Sequence, residues 1–305
     1  MKGVRQGCPL SPVLFIIGLE YIKRSMDLKP EDAFMLGRVD CSFISYADDT
    51  TLMSSDPQQL KRMFCKLETE SKKSGLLLNK SKTKMLANGG LYDVDGTGLK
   101  VDAADFAIKN VELVKQFTYL GKDISIEETR PFVKASRTRA WSAYHKTKEL
   151  FRSVNNSAKA YIYNMLIRPS MTYAAQTWIL NITVMDGLAK TERSILRRIF
   201  GIRRWDEERQ ENMHNEELYR LTTVTPLPLF LVRLQTKYIG HQLRKDDSWQ
   251  RAMLLWSNKN KKKCGRPRDR LMGTLFKKFG VKTIVEMSKD RLMWRTLPQL
   301  LQSSY

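Results

Sequence analysis

The hydrophobic residues of this chain follow two different patterns, and the change falls near residue 125. Before that point, short alternating segments rich in strand formers stand between amphipathic stretches. After it, apolar residues recur every three or four positions, as they do on one face of a helix. This second pattern predicts helices near residues 128–152, 157–168, 183–200 and 227–245. The sequence therefore predicts a mixed front part and a mainly helical remainder.

The front part also contains signals for where its elements begin and end. Asp56 and Pro57 are typical of a helix start, because Asp caps the first N–H groups and Pro suits the first turn. Gly75 is typical of the end of such a helix. Further short strands are predicted at residues 76–78, 84–87 and 117–121.

Two adjacent carboxylates lie between the two best-marked strands. Residues 41–46 (CSFISY) alternate and residues 50–53 (TTLM) form the predicted return strand, so Asp48 and Asp49 fall at the turn. Adjacent carboxylates stay ionised at low cost when a cation neutralises them, and Mg²⁺ binds through one or two carboxylates plus substrate phosphate. A polar turn without a metal is the competing interpretation, because Asp is common in turns.

The charge of the chain is concentrated in its second part. Residues 1–120 carry 17 basic and 15 acidic side chains, a net charge of +2, whereas residues 121–305 carry 36 and 17, a net charge of +19. The total of +21 indicates a polyanionic partner, most often nucleic acid or an anionic membrane surface. A basic surface that serves solubility alone is the competing interpretation, but solubility does not require one sign of charge on one half.

Several protein classes do not fit this sequence. No apolar run approaches the roughly 18 residues of a membrane-spanning helix, and the run at 13–19 lacks the cleavage site of a secretory signal. The four cysteines are too widely spaced for a disulfide scaffold or a zinc site. We therefore expect an intracellular protein, nuclear and/or cytoplasmic, that does not act at a membrane.

Four segments of the front part stand out together: residues 3–12 (GVRQGCPLSP), 43–49 (FISYADD), 75–83 (GLLLNKSKT) and 117–121 (FTYLG). In sequence and in order they resemble the conserved segments of the reverse transcriptases of non-LTR retrotransposons, also called LINE elements. The similarity continues in segments that resemble the tail of RTE-like elements, at residues 238–244 (YIGHQLR), 264–268 (CGRPR) and 290–294 (DRLMW).

This resemblance implies an RNA-directed DNA polymerase, a nucleotidyltransferase that uses Mg²⁺, dNTPs, an RNA template and a DNA primer or target. It implies that Asp48 and Asp49 are catalytic and bind the metal, with Asp48 the principal ligand. It also implies that Lys82 is catalytic, at the pyrophosphate leaving group. A lysine in a solvated loop is the alternative for this position.

Two further sets of residues take roles from the same resemblance. Gln6 and Gly7 match the loop that lies against the template base and the incoming nucleotide, where glycine allows close approach of the backbone. Tyr119, Leu120 and Gly121 match the segment that grips the primer end. Ordinary core packing is the alternative for the second set.

One part of the family's catalytic centre has no counterpart in this sequence. The family places a further aspartate on a strand upstream of Gln6 and Gly7, and only five residues precede Gln6 here. We therefore expect a chain truncated at its N-terminus, with an incomplete two-metal site and little or no activity alone. The strand pair around Asp48 would also expose an unpaired edge, which predicts a front part of poor stability.

The basic part offers two groups of candidate nucleic-acid contacts. One group is Arg197, Arg198, Arg203 and Arg204, and the other is Lys261, Lys262, Lys263, Arg266 and Arg268. The second group surrounds a Gly-Arg-Pro sequence that resembles arms inserted into A·T-rich minor grooves. A solvated helix face and a linker that binds phosphate without preference are the respective alternatives.

Together these observations predict an α+β fold: a partial polymerase palm, formed by a small antiparallel sheet with helices, then a helical thumb and a basic C-terminal region. The expected boundaries are residues 1–125, 126–205 and 206–305. A non-catalytic nucleic-acid-binding remnant, built from the same residues but acting through the charge of its second half, is the alternative function. A translated relic without function is a third possibility.

Overall fold

The computed structural model describes residues 3–87, 108, 111–125, 132–206, 210–246, 248–255 and 273–302. The chain divides into two compact units, and the first contains residues 1–129 together with residues 247–256. The second unit contains residues 130–246 and 257–305. The assignment of palm, thumb and basic region to parts of the chain stays a prediction.

The described part of the first unit combines helices with short strand pairs. The helices are α1 (Ser11–Ser25), α2 (Pro57–Lys73) and α9 (Trp249–Leu255). The strands are β1 (Met35–Leu36), β2 (Val39–Asp40), β3 (Phe43–Tyr46), β4 (Asp49–Leu52), β5 (Lys84–Met85), β6 (Glu112–Leu113), β7 (Gln116–Tyr119) and β8 (Lys122–Ser125). They pair two by two in chain order, antiparallel except for β5 with β6.

A small core in the first unit joins α1, α2 and the β3–β4 hairpin. Ile22 of α1, Met26 directly after α1 and Leu67 of α2 are buried against one another, and Phe43 and Leu52 pack on them. Phe43 and Leu52 are opposite residues of the strand ladder, so the base of the hairpin rests on both helices. As predicted, Asp56 caps α2, because its carboxylate accepts hydrogen bonds from the first backbone N–H groups of the helix.

The described part of the second unit is mainly helical. Its helices are α3 (Phe132–Thr147), α4 (Asn156–Ile162), α5 (Arg168–Met171), α6 (Ile182–Phe200), α7 (Asn215–Thr222), α8 (Leu227–Leu243), α10 (Gly273–Phe279), α11 (Val281–Lys289) and α12 (Arg291–Gln302). A π-helical segment, Tyr163–Ile167, joins α4 to α5. One strand pair, β9 (Trp205–Asp206) with β10 (Glu211–Asn212), follows α6.

The second unit is built around an extensive apolar core. Helix α6 contributes the apolar face that the sequence pattern predicts, and α3, α4 and α8 contribute theirs. The buried members of this core include Tyr163, Trp178, Leu188, Leu196 and Leu231. Burial of so many large apolar side chains supplies the main stabilisation of this unit.

A buried charge lies within that core. Glu192 of α6 is fully buried, and its carboxylate accepts hydrogen bonds from Tyr163 Oη (2.8 Å), Tyr219 Oη (2.9 Å) and the backbone N of Leu227 (2.8 Å). Arg168 Nη2 lies 2.6 Å from the same carboxylate. Burial, and next the negative charge of Glu192, raises the pKa of Tyr163 and of Tyr219. The network connects five segments of the unit: the π-helical segment, α5, α6, α7 and the start of α8.

The structure supports an α+β architecture and corrects some of the predicted elements. The four long helices predicted after residue 127 are present near their predicted positions, although the second is interrupted by the π-helical segment. The strand predicted at residues 76–78 is wrong, because these leucines form a loop in which Leu77 is 83% exposed. Helices α7 and α9 were not predicted. In the described part of the chain no helix is long and apolar enough to cross a membrane.

Candidate functional site

The β3–β4 hairpin presents the two predicted carboxylates at its tip. The ladder pairs Phe43 with Leu52 at the base and Tyr46 with Asp49 at the tip. Only Ala47 and Asp48 connect the strands, so Asp48 lies in the turn and Asp49 begins β4. Both aspartates are exposed. Because the base of the hairpin is anchored in the core, the carboxylates lie on a supported tip.

The turn holds a residue in an uncommon backbone conformation. Ala47 has φ of 52°, in the left-handed region that favours glycine in two-residue hairpin turns. A non-glycine residue there costs on the order of 1–2 kcal/mol, and such strained positions cluster at functional sites. The rest of the hairpin must therefore hold the turn that places Asp48.

The two carboxylates fit part of a magnesium site. Neither side chain has a hydrogen-bond or ion-pair partner within the described ranges, so both carboxylates face solvent with their oxygens available. Mg²⁺ accepts one or two carboxylates and fills its other positions with water and phosphate. However, no group of three or more candidate metal ligands occurs among the residues that the structure describes.

The loop that contains Gln6 and Gly7 is a turn fixed to the start of α1. The backbone N of Cys8 donates to Arg5 O (3.3 Å), and Ser11 Oγ donates to the same oxygen (2.6 Å). Gln6 and Gly7 are both exposed. Gly7 has φ of 85°, and a β-carbon built there would meet no atom within 4 Å. The backbone around Gly7 is therefore open to approach by a ligand.

Lys82 lies on an exposed turn that Asn79 organises. The side chain of Asn79 accepts hydrogen bonds from the backbone N of Lys82 (3.2 Å) and from Ser81 Oγ (2.7 Å). The backbone O of Asn79 accepts from the backbone N of Thr83 (3.0 Å). This arrangement fixes the backbone at Lys82 and leaves its side chain exposed.

Tyr119, Leu120 and Gly121 form the tip of the β7–β8 hairpin. Leu120 (φ 47°) and Gly121 (φ 71°) are the two turn residues, and positive φ at both is the pattern of a type I′ turn. Leu120 is 38% exposed and Tyr119 is half-buried. Next to the turn, burial lowers the pKa of Lys122. The tip therefore presents part of a leucine to solvent, and the role of these three residues stays a prediction.

The structure brings two of the predicted catalytic residues together. Asp48 and Asp49 share one tip. No hydrogen bond or ion pair connects Lys82 with either aspartate in the ranges described above. The roles of these residues stay predictions.

Comparison with known proteins finds a family match over the segment that contains this hairpin. The family model described as "Reverse transcriptase (RNA-dependent DNA polymerase)" matches residues 1–124, the part of the chain that contains the hairpin. These residues are similar to reverse transcriptases. A transposon-derived, uncharacterized protein of Caenorhabditis elegans is 24% identical over 263 residues, which cover 82% of this chain and 92% of that protein. The similarity to the transposon-derived protein therefore extends well beyond the reverse transcriptase segment.

Beyond the reverse transcriptase segment, the second unit presents a cluster of arginines at the end of α6. Burial lowers the pKa of Arg197, and the positive charges of Arg193 and Arg204 lower it further. The buried Nε of Arg197 has no hydrogen-bond partner within the described structure. Like charges held so close together favour an anion that neutralises them. Arg193 already has a carboxylate neighbour, Asp186, at 3.6 Å, and the role of Arg197 and Arg204 in binding phosphate stays a prediction.

The remaining predicted cations differ in their surroundings. The guanidinium of Arg198 lies 5.0 Å from the ring centroid of Trp141, which is a cation–π contact. Arg203 and Arg204 are exposed beside Trp205, which is 46% exposed. The second predicted group lies outside the described residues: Lys261, Lys262, Lys263, Arg266 and Arg268.

A further set of cations was missed by sequence reasoning. It lies on α8 and α12, on the two sides of a groove. The signal in the sequence is the four-residue spacing of Arg233, Lys237 and His241, repeated by Arg291 and Arg295. This spacing places side chains on one helix face. It does not reveal that two such faces lie opposite one another.

Proposed function

We propose that residues 1–125 are part of the palm of an RNA-directed DNA polymerase of a non-LTR retrotransposon, of the LINE class and RTE-like. The observation that carries the proposal is the pair of exposed carboxylates on a strained, well-anchored hairpin tip, inside the segment that is similar to reverse transcriptases. The proposed partners are an RNA template, a DNA primer or target, and a dNTP.

Each predicted residue has a specific part in this proposal. Asp48 and Asp49 hold Mg²⁺, which when bound neutralises phosphate charge during nucleotidyl transfer. Lys82 presents a positive charge to the leaving pyrophosphate. The open backbone at Gly7, with Gln6 beside it, lies against the template base and the incoming nucleotide. The exposed tip formed by Tyr119, Leu120 and Gly121 contacts the primer end.

The proposed metal site is incomplete in the part of the chain that the structure describes. Two-metal nucleotidyl transfer needs ligands for two ions about 3.5–4 Å apart. Each ion requires near-octahedral coordination, which two neighbouring carboxylates do not supply for both. We infer that this chain alone extends a primer slowly or not at all.

The metal-binding part of the proposal is tested by titration with Mn²⁺, which substitutes for Mg²⁺ and reports its binding through electron paramagnetic resonance. We expect the double variant Asp48→Asn/Asp49→Asn to lose the tightest Mn²⁺ site. The matched control is Glu20→Gln/Glu70→Gln, which removes the same charge from surface ion pairs of the same unit. Unchanged Mn²⁺ binding in the aspartate variant would show that the hairpin is not the metal site.

The catalytic part is tested by extension of a DNA primer on an RNA template, with dNTPs and Mg²⁺. We expect little product from the full chain, and none from the double aspartate variant. Extension at the rate of an ordinary reverse transcriptase would contradict the inference of an incomplete site. Slow extension that survives the aspartate substitutions would contradict the catalytic role of Asp48 and Asp49.

A second candidate function is non-catalytic binding of nucleic acid through the second half of the chain. The observation that favours it is the net charge of +19 on residues 121–305, with the arginine cluster at the end of α6. This function predicts that Asp48→Asn/Asp49→Asn leaves the affinity for an oligonucleotide unchanged. A large loss of affinity in that variant would argue against it.

A further inference from the structure

A groove between α8 and α12 of the second unit has no role in the proposed polymerase site. Its volume is about 650 Å³. The residues that line it are Arg233, Thr236, Lys237, His241, Arg244, Arg291, Trp294, Arg295, Pro298 and Gln299. Five of these ten carry a positive charge at neutral pH, and no carboxylate is among them.

Four of these cations form two facing rows. Arg233 and Lys237 are four residues apart on α8, and the imidazole of His241 continues the same row after four more residues. Residues four apart lie on one face of a helix, so this row extends over about 12 Å at 1.5 Å per residue. Arg291 and Arg295 repeat the spacing on α12. Both sides of the groove therefore present positive charge.

These cations are exposed and not neutralised by the protein. Arg233, Lys237, Arg291 and Arg295 have neither a hydrogen-bond nor an ion-pair partner within the described residues. Elsewhere in the same unit, by contrast, Lys289 is paired with Glu286 at 2.9 Å. Grouped cations without carboxylate partners repel one another, and this repulsion is relieved when an anion binds between them.

The floor of the groove is rigidly built. Trp294 of α12 is 4% exposed, and its indole Nε1 donates a hydrogen bond to Thr236 O at 2.7 Å. A β-carbon on Gly240 of α8 would overlap the indole ring, so the absence of a side chain there permits the close approach of the two helices. Arg244 Nη1 donates to Ser288 O at 2.9 Å, which also ties α8 to α11. The two rows are therefore held at a fixed separation.

We propose that this groove binds the sugar-phosphate backbone of a single nucleic-acid strand, largely without regard to sequence. A volume of about 650 Å³ is on the scale of a ligand pocket, so it suits a few nucleotides of one strand and not a duplex. Unpaired cations along a groove are typical of proteins that follow a single strand through its phosphates. The choice of nucleic acid as the occupant rests on the proposed function.

The experiment compares two triple variants of the full chain by fluorescence anisotropy with a labelled single-stranded 12-mer, between 50 and 200 mM salt. The groove variant is Arg233→Ala/Lys237→Ala/Arg295→Ala. The control variant, Lys134→Ala/Lys146→Ala/Lys148→Ala, removes the same charge from exposed positions at or near helix α3. Alanine suits all of the helical positions, and thermal melting followed by circular dichroism checks that both variants fold. If either does not, glutamine replaces alanine at the same positions.

The groove variant should bind the 12-mer at least about tenfold more weakly, and the slope of log K against log salt should fall by about 2, because each phosphate contact contributes about 0.7 for a single strand. The control should change neither quantity appreciably. An equal loss in both variants would mean that only overall charge matters, and no loss in the groove variant would remove the proposal.

Two further measurements separate this proposal from its competitors. The first is the affinity for a poly-glutamate peptide of the same charge. If this peptide binds as tightly as the 12-mer and loses as much affinity in the groove variant, the occupant of the groove is an acidic peptide and not a nucleic-acid strand. The groove variant should bind Mn²⁺ as tightly as the unaltered chain does, because none of the proposed metal ligands lines the groove. A failure of the polymerase proposal therefore leaves the salt-slope result intact, and a failure of the groove proposal leaves the Mn²⁺ result intact.

Discussion

The two units of this protein differ in how their functional surfaces are supported. In the first unit, the hairpin with Asp48 and Asp49 rests on a small cluster whose buried members are Ile22, Met26 and Leu67. In the second unit, an extensive core and a buried charge network lie beneath the basic surfaces. Both units present charged groups to solvent, but among the residues that the structure describes the larger apolar core lies beneath the surfaces of the second unit.

This difference is also visible on helix α1. Several apolar side chains on it are more than half exposed: Val13, Leu14, Ile16, Ile17 and Tyr21. Apolar surface of this extent on one helix is unusual for a folded unit. The first unit therefore gains less stability from burial than its composition allows, in line with the expectation that the front part is weakly stable. That expectation stays a prediction.

The largest expected effect concerns the buried charge of the second unit. Glu192→Ala should lower the free energy of unfolding by about 3–5 kcal/mol, because it leaves Arg168 buried without its partner. The measurement is urea unfolding followed by circular dichroism. The control is Glu286→Ala, which breaks an exposed ion pair and should cost well under about 1 kcal/mol. Equal effects of the two substitutions would show that the network does not stabilise the unit.

A glycine-to-alanine substitution should have opposite effects on the stability of the two units. Gly240→Ala should destabilise the second unit by about 1–3 kcal/mol, since the new β-carbon overlaps Trp294. Gly18→Ala, in the middle of α1, should stabilise the first unit by about 0.5–1 kcal/mol, because the space around Gly18 is open and alanine favours helix. Thermal melting of both variants measures the difference. The same sign for both would contradict the contrast between a packed and an open unit.

The smallest expected effect is a dependence of the second unit's stability on alkaline pH. Burial and the charge of Glu192 raise the pKa of both Tyr163 and Tyr219. The folded state therefore favours the protonated phenols. This contribution to stability is fully present below about pH 10, where unfolded tyrosines also keep their protons, and it is lost as the pH rises above that value.

This pH effect is measured as the change in unfolding free energy of the second unit between pH 8 and pH 11. The variant Tyr163→Phe/Tyr219→Phe should show a shallower decline than the unaltered chain. Tyr161→Phe, at a position that is 66% exposed, should decline as the unaltered chain does. Equal slopes in all three proteins would show that the buried phenols are not linked to stability.

The sequence predicts best those elements that are defined by local signals. Asp56 with Pro57 marks the start of α2, and the alternating residues 41–46 with the return strand mark the hairpin. The strand predicted at residues 76–78 is wrong because two of the three leucines are drawn toward the small core by tertiary packing, while Leu77 faces solvent. A run of leucines does not by itself distinguish a strand from an apolar loop.

The candidate functional surfaces also divide into one that local sequence signals predict and one that depends on tertiary packing. The positions of Asp48 and Asp49 at a turn follow from a few neighbouring residues, so they were accessible from the sequence. The groove between α8 and α12 was not, because it depends on two helices separated by 47 residues along the chain. Their approach is set by Gly240 and Trp294, and the spacing of cations on either helix alone is also typical of a solvated face.

The place of α9 in the chain has a consequence for how the protein is made. This helix packs on β1 and β2 of the first unit, although its residues follow the first 117 residues of the second unit, 130–246. During synthesis from the N-terminus, the ribosome therefore produces most of the second unit before the last piece of the first. Domains that fold as they emerge normally finish in order. Here the first unit begins to emerge first, but it acquires its final helix, α9, only after residue 255 has been synthesised.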